Sequence, residues 1–124
     1  MKEMERFLLE VVREAGELLL ASFGQAKEAA RKGEIDLVTE ADLASERLIV
    51  EAIQKRYPDY ILLSEETLSE EGVGEFTWLI DPLDGTINYF HGYPAFAISI
   101  ALMEKGEVTL GAIYDPLRDE FFYA

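Results

Sequence analysis

The final stretch AFAISIALMEKGEVTLGAIYDPLRDEFFYA constrains the fold more than any other part of the chain. It reads as three strands, broken at KGE and again at DPLRD, both of which carry turn residues. Strands joined by turns this short pair as an antiparallel sheet, and such a sheet needs an apolar layer against its inner face. The N-terminal half offers that layer. Met4, Leu8, Val11, Ala15, Leu18 and Leu19 recur at helical spacing with charges on the other face, so residues 3–23 predict an amphipathic helix stopped at Gly24. Residues 25–35 read as a polar connection. In DLVTEADLASERLIVEAIQKRYPD, Thr39 suits an N-cap and Asp42 the N3 position of a capping-box-like pattern. Ala41, Ala44, Leu48, Ile49, Ala52 and Ile53 make the apolar stripe, and Pro58 ends the helix. YILLSEE reads as a short buried strand leaving the core at Ser64, residues 67–75 as an acidic surface loop, and FTWLID as a further strand. The expectation is a single α+β domain over residues 1–124, with two N-terminal helices packed on an antiparallel sheet.

Charge narrows the functional classes. The formal net charge is −14, which repels nucleic acid and anionic membrane surfaces, so neither is expected as a partner. The chain has no cysteine, and His91 is its single histidine, which excludes thiolate sites and a multi-histidine zinc site within one chain. No run of apolar residues is long enough to span a bilayer. The N-terminal apolar stretch is studded with acids and bases, unlike a signal-peptide core, and the expected location is the cytoplasm. From Tyr57 to Glu104 there is no lysine or arginine, yet the span holds Asp59, Glu65, Glu66, Glu70, Glu71, Glu75, Asp81, Asp84 and Glu104. Carboxylates gathered without basic partners must be solvated, protonated or bound to a metal. Oxygen donors at strand ends suit a hard cation such as Mg²⁺.

WLIDPLDGT, Trp78 to Thr86, is the most informative stretch. Pro82 fixes one backbone angle between Asp81 and Asp84, and a turn there can aim both carboxylates and the Leu83 carbonyl at one point. Gly85 permits unusual dihedrals and close approach of a ligand. If a helix starts near Asp84, the amides around Gly85 and Thr86 face outward towards an anion. Thr86 adds a hydroxyl able to orient a water. Each residue alone has a plainer reading: Asp84 as an N-cap, Glu65 and Glu66 as a solvated pair, Asp42 as part of a capping box, Asp36 as a polar residue before a strand, His91 as a packed or surface side chain, Trp78 as core. Phosphatases with an aspartate nucleophile often read Asp-x-Asp-Gly-Thr. Here Leu83 stands where their second acid would be, and leucine cannot protonate a leaving group, which disfavours a covalent aspartyl-phosphate.

WLIDPLDGT followed by INYFHGYPAFAISIAL resembles the first signature of the inositol monophosphatase family, the lithium-sensitive, magnesium-dependent phosphomonoesterases. DLVTEAD and LLSEE match two further blocks of that family in order and spacing. The resemblance implies the N-terminal half of a layered αβαβα sugar-phosphatase fold. It implies Glu65, Asp81, the Leu83 carbonyl and Asp84 as metal ligands. Leu83, Asp84, Gly85 and Thr86 become substrate-binding, and Asp42, Glu65 and Thr86 catalytic, activating a metal-bound water, with Glu66 in support. Lys32 lies near a family lysine, but the match there is loose. The implied reaction is hydrolysis of a phosphate monoester such as inositol 1-phosphate. Fructose 1,6-bisphosphate is the alternative, since Ile87 and Asn88 follow Thr86 where sulfur-assimilation nucleotide phosphatases tend to carry Lys-Glu. The implied partners are a small phosphorylated polyol or sugar and, by family analogy, a second copy of the chain.

Members of that family are about twice this long, and their second signature, a Trp-Asp pair before small residues, has no match here. Two expectations from different classes follow. The chain is the metal- and phosphate-binding N-terminal half of an enzyme whose C-terminal half is absent from this sequence, or it is a truncated, non-catalytic metal-binding or self-associating module with an exposed sheet edge.

Overall fold

The computed structural model of the protein describes residues 1–31, 36–64 and 75–124, and the side chains of residues 1–25, 40–64 and 75–124. Two helices, α1 (Glu3–Arg31) and α2 (Asp36–Arg56), precede the strands β1 (Ile61–Ser64) and β2 (Phe76–Asp84). A short helix α3 (Thr86–Phe90) follows, then β3 (Ala97–Glu104), β4 (Glu107–Asp115) and β5 (Glu120–Tyr123). The α+β class is the one the sequence indicated.

Both helices are longer than their sequence signals. Gly24 lies inside α1 and does not stop it. One glycine costs a helix only about 1 kcal/mol, and the residues after it, QAKEAAR, are strong helix formers that carry the helix on. Helix α2 starts at Asp36, three residues before Thr39, so Thr39 is a helical residue and not an N-cap. The capping-box reading of Asp42 fails with it. Propensity at a helix start is a weak prior, and an acidic residue at Asp36 already suits the positive end of the helix. At the other end, Lys55 and Arg56 occupy the last turn and Pro58 lies just beyond, as expected.

The five strands form one sheet in sequential order, β1-β2-β3-β4-β5. Three of the pairings are antiparallel, while β1 joins β2 in parallel, with Leu62 opposite Trp78 and Ser64 opposite Ile80. The parallel pair fits the long stretch between these strands, since only antiparallel neighbours can be joined by a tight turn. Both sequence-predicted turns are present. Lys105 (φ 52°) and Gly106 (φ 86°) make the two-residue β3–β4 hairpin, the left-handed pair that such hairpins need. In the β4–β5 turn Asp115 Oδ1 accepts the amides of Leu117 and Arg118 at 3.0 and 3.2 Å.

Strand alternation sorts the sheet into two faces. Trp78, Ile80, Ile98, Ile100, Leu102, Ala112 and Tyr114 are buried with Leu8, Val12, Ala15 and Leu19 of α1 and Ile49 and Ile53 of α2. The other set, which includes Leu79, Asp81, Ser99, Ala101, Ile113 and Phe122, projects away from the helices. Ile113 and Phe122 remain 49% and 56% exposed on that outer face among the described residues.

Candidate functional site

The site is built where β2 loses register with β3. Asp81 pairs with Ser99 and Asp84 with Ala97, so Pro82 and Leu83 together face the single residue Ile98. This is a β-bulge. It is also the position in an interior strand that tolerates proline, which has no amide to give the ladder. Pro82 and Leu83 are both buried, whereas Asp84 is exposed at the strand end and Asp81 is half-buried on the outer face. Asp81 Oδ1 accepts the Leu83 amide at 3.3 Å, and the Leu83 carbonyl accepts the Thr86 hydroxyl at 3.2 Å. The DPLDGT turn is therefore closed by its own side chains.

Gly85 is required twice over. Its φ of 93° and ψ of 38° put it in left-handed space. A Cβ there would stand 2.9 Å from the Ala95 carbonyl oxygen and 3.3 Å from Phe96 Cα. Behind it, α3 is anchored by Tyr89, whose hydroxyl donates to the Leu19 carbonyl of α1 at 2.7 Å. Burial pushes the Tyr89 phenol up to about 12, so it stays a neutral donor through the physiological range. Asn88 Nδ2 donates to the Ala95 carbonyl at 3.0 Å and ties α3 to the segment that enters β3.

Helix α2 holds the bulge from the inner side. Ser45, fully buried, donates its hydroxyl to the Pro82 carbonyl at 2.9 Å. The neighbouring Glu46, also buried, accepts the hydroxyl of Ser64 at the end of β1. One helical turn before Ser45 lies Asp42, buried at 9% exposure. The polar set Asp42, Ser45 and Glu46 thus faces the strand ends from a helix whose other buried residues, among the described ones, are apolar. Only Asp42 was singled out from the sequence. A serine standing in the stripe between Ala41 and Ile49 was the available signal for the other two.

Asp81, Leu83, Asp84, Gly85 and Thr86 are brought together by the bulge and turn, and Asp42 sits behind them on α2. Glu65 and Glu66, expected as a ligand and its support, lie outside the described residues, as does Lys32. Among the described residues no three Asp, Glu or His side chains gather closely enough to hold a metal ion. The donors that are present, two carboxylates and a peptide carbonyl, are all hard oxygens of the kind Mg²⁺ takes, and a further carboxylate such as Glu65 would extend the set. His91 is exposed and packs edge-on to Phe90 at 5.1 Å, and Trp78 is core, both as their plainer readings held.

Sequence reasoning also missed an arginine. An open cavity of about 380 Å³ is lined by Asp84, Gly85, Asn88, Phe96, Asp115 and Arg118. Its size is that of a small-molecule site. Antiparallel pairing brings the β4–β5 turn to the same end of the sheet as the bulge, which places Arg118 there although 34 residues separate it from Asp84.

The fold is shared with known proteins. The family model described as "Inositol monophosphatase family" matches residues 1–124. The fructose-1,6-bisphosphatase/inositol-1-monophosphatase of Thermotoga maritima is 42% identical over 119 residues, covering 95% of this chain and 46% of that protein. The Nus factor SuhB of Haemophilus influenzae is 41% identical over 127 residues, covering 100% of this chain and 48% of its own. Among solved structures, a Thermotoga maritima IMPase superposes with a TM-score of 0.84 at 39% identity, over 99% of this chain and 48% of that one. The chain spans about half the length of the curated relatives it matches.

Proposed function

From the premise that this chain belongs to the inositol monophosphatase family, we propose that it forms the metal- and phosphate-binding half of a Mg²⁺-dependent phosphomonoesterase. The substrate is an ester such as inositol 1-phosphate, with fructose 1,6-bisphosphate as the alternative. The observation that carries this reading is the bulge. It spends two ladder positions on Pro82 and Leu83, and so presents Asp81, the Leu83 carbonyl, Asp84, Gly85 and Thr86 around one turn.

Asp81, Asp84 and the Leu83 carbonyl would hold Mg²⁺ together with Glu65. When bound, the metal supplies Lewis-acid neutralisation of the phosphate. The chain's own residues do the positioning. Gly85, without a Cβ, lets the phosphate approach the backbone closely. Thr86 spends its hydroxyl hydrogen on the Leu83 carbonyl, which leaves Oγ1 as an acceptor for the attacking water. Thr86 and Asp42, buried on α2, act together on that water: Thr86 orients it, and Asp42 accepts its proton as the water oxygen attacks phosphorus, while the ester P–O bond breaks with its electron pair on the alcohol oxygen, which takes up a proton as it leaves. By the family resemblance, Glu65 would act on the same water and Glu66 would support it. Ser45 and Glu46 fix α2, and hence Asp42, against the strand ends. A homodimer is the proposed assembly, by analogy with the family.

The exposed outer sheet face, with Ile113 and Phe122, favours one second reading: a non-catalytic, self-associating module. The native gene product separates the two. The phosphatase reading expects Mg²⁺-dependent release of phosphate from inositol 1-phosphate. A native mass of 14.0 kDa together with no such release would refute it in favour of the module.

A further inference from the structure

The cavity between α3, β3 and the β4–β5 turn joins the proposed phosphate turn to a cation. Asp84 and Gly85 line one part of it and Arg118 another. The span from Tyr57 to Glu104, which supplies the bulge, contains no lysine or arginine, so the site's own segment offers an anionic substrate no side-chain cation. Arg118 is brought in by tertiary structure alone.

Its placement is built. Asp115 Oδ1 accepts the amides of Leu117 and Arg118 and so shapes the turn, while Asp115 Oδ2 accepts from Arg118 Nη1 at 2.8 Å. That ion pair uses one corner of the guanidinium. Arginine carries five N–H donors in a fixed fork, and the remaining ones suit a planar or tetrahedral oxyanion. The side chain is 56% exposed, so these donors are open to a ligand entering the cavity.

We propose that Arg118 is a specificity-determining residue, which binds a second anionic group on the substrate, remote from the ester that is cleaved. The inference rests on the phosphomonoesterase reading above and deepens it. It assigns the substrate class as a phosphomonoester bearing another phosphate or carboxylate within reach of the same cavity. An uncharged polyol monophosphate lacks that group and gains nothing from Arg118.

The test compares R118M and R118K with the unsubstituted native gene product, using fructose 1,6-bisphosphate and inositol 1-phosphate as probes. Both kcat/KM with Mg²⁺ and equilibrium binding by calorimetry are measured. R118M is expected to lower kcat/KM for the bisphosphate about tenfold, chiefly through KM, and to leave inositol 1-phosphate within about twofold, while R118K retains part of the selectivity. Equal losses on both substrates, or none on either, overturn the inference. Should the unsubstituted protein hydrolyse neither ester, the phosphatase reading fails and calorimetry still judges Arg118. A preference for the bisphosphate that R118M abolishes supports the inference, and no preference overturns it.

Discussion

Replacing Gly85 by alanine tests whether the turn after the bulge demands glycine for conformation, for space, or for both. The conformational part follows from φ of 93°, where an L-residue pays about 1–2 kcal/mol. The spatial part follows from the new Cβ standing 2.9 Å from the Ala95 carbonyl oxygen and 3.3 Å from Phe96 Cα. Both neighbours are backbone atoms, and Phe96 is packed edge-on against Tyr89 at 5.0 Å, so neither can yield cheaply. Overpacking of this kind costs about 1–3 kcal/mol. Gly106 provides the control. Its φ of 86° is nearly the same, but nothing lies within 4 Å of its Cβ position. The stiffening of the unfolded chain by alanine, about 0.4–1 kcal/mol in favour of folding, applies to both and cancels in the difference. G85A should therefore lose about 1–3 kcal/mol more than G106A. The assay is urea unfolding of both variants at constant m-value, read as the difference in midpoints. Equal losses would refute the claim that Ala95 and Phe96 press on the DPLDGT turn.

Three further outcomes follow from the same geometry. S45A leaves the buried Pro82 carbonyl without its 2.9 Å donor and should cost about 1–3 kcal/mol by urea denaturation; a loss within the surface range of about 0.5 kcal/mol would show that α2 does not anchor the bulge. On the proposed reading, D84N should abolish phosphate release at limiting Mg²⁺ with an unchanged melting temperature, because Asp84 is exposed and outside the core; undiminished activity would remove it from the metal set. Burial raises the phenols of Tyr89 and Tyr114 from 10 to about 12, so each keeps its proton in the folded protein while the unfolded chain releases it. Their stabilising contribution is complete below pH 10 and is lost as pH rises from 10 through 12, and a Y89F/Y114F double variant should show a shallower fall in urea midpoint over that window.

Much of this protein is legible in local sequence. The order of helices and strands follows from apolar periodicity, and the KGE and DPLRD turns from residues that tolerate left-handed or Asx-turn geometry. The DPLDGT turn is equally local. Its proline, its glycine and its two carboxylates act within a few residues of one another, and the hydrogen bonds from Leu83 to Asp81 and from Thr86 to Leu83 span only two and three positions. Helix ends were less legible. Gly24 and Thr39 are sound stop and start signals, but each is worth about 1 kcal/mol, less than neighbouring helix formers and tertiary packing can override.

Long-range pairing decided the rest. No local rule shows that β1 lies parallel to β2, that Ser45 and Glu46 reach across to Pro82 and Ser64, or that the β4–β5 turn delivers Arg118 to the cavity beside Asp84. These contacts join residues 16 to 37 positions apart. Their existence depends on strand register and on which face of α2 is buried, quantities fixed only when the whole sheet closes against its helices. The sequence by itself determined the chemistry of one turn, because that chemistry is held by neighbouring bonds. Tertiary structure determined what that turn faces, because a helix and a hairpin from distant parts of the chain must first pack around it.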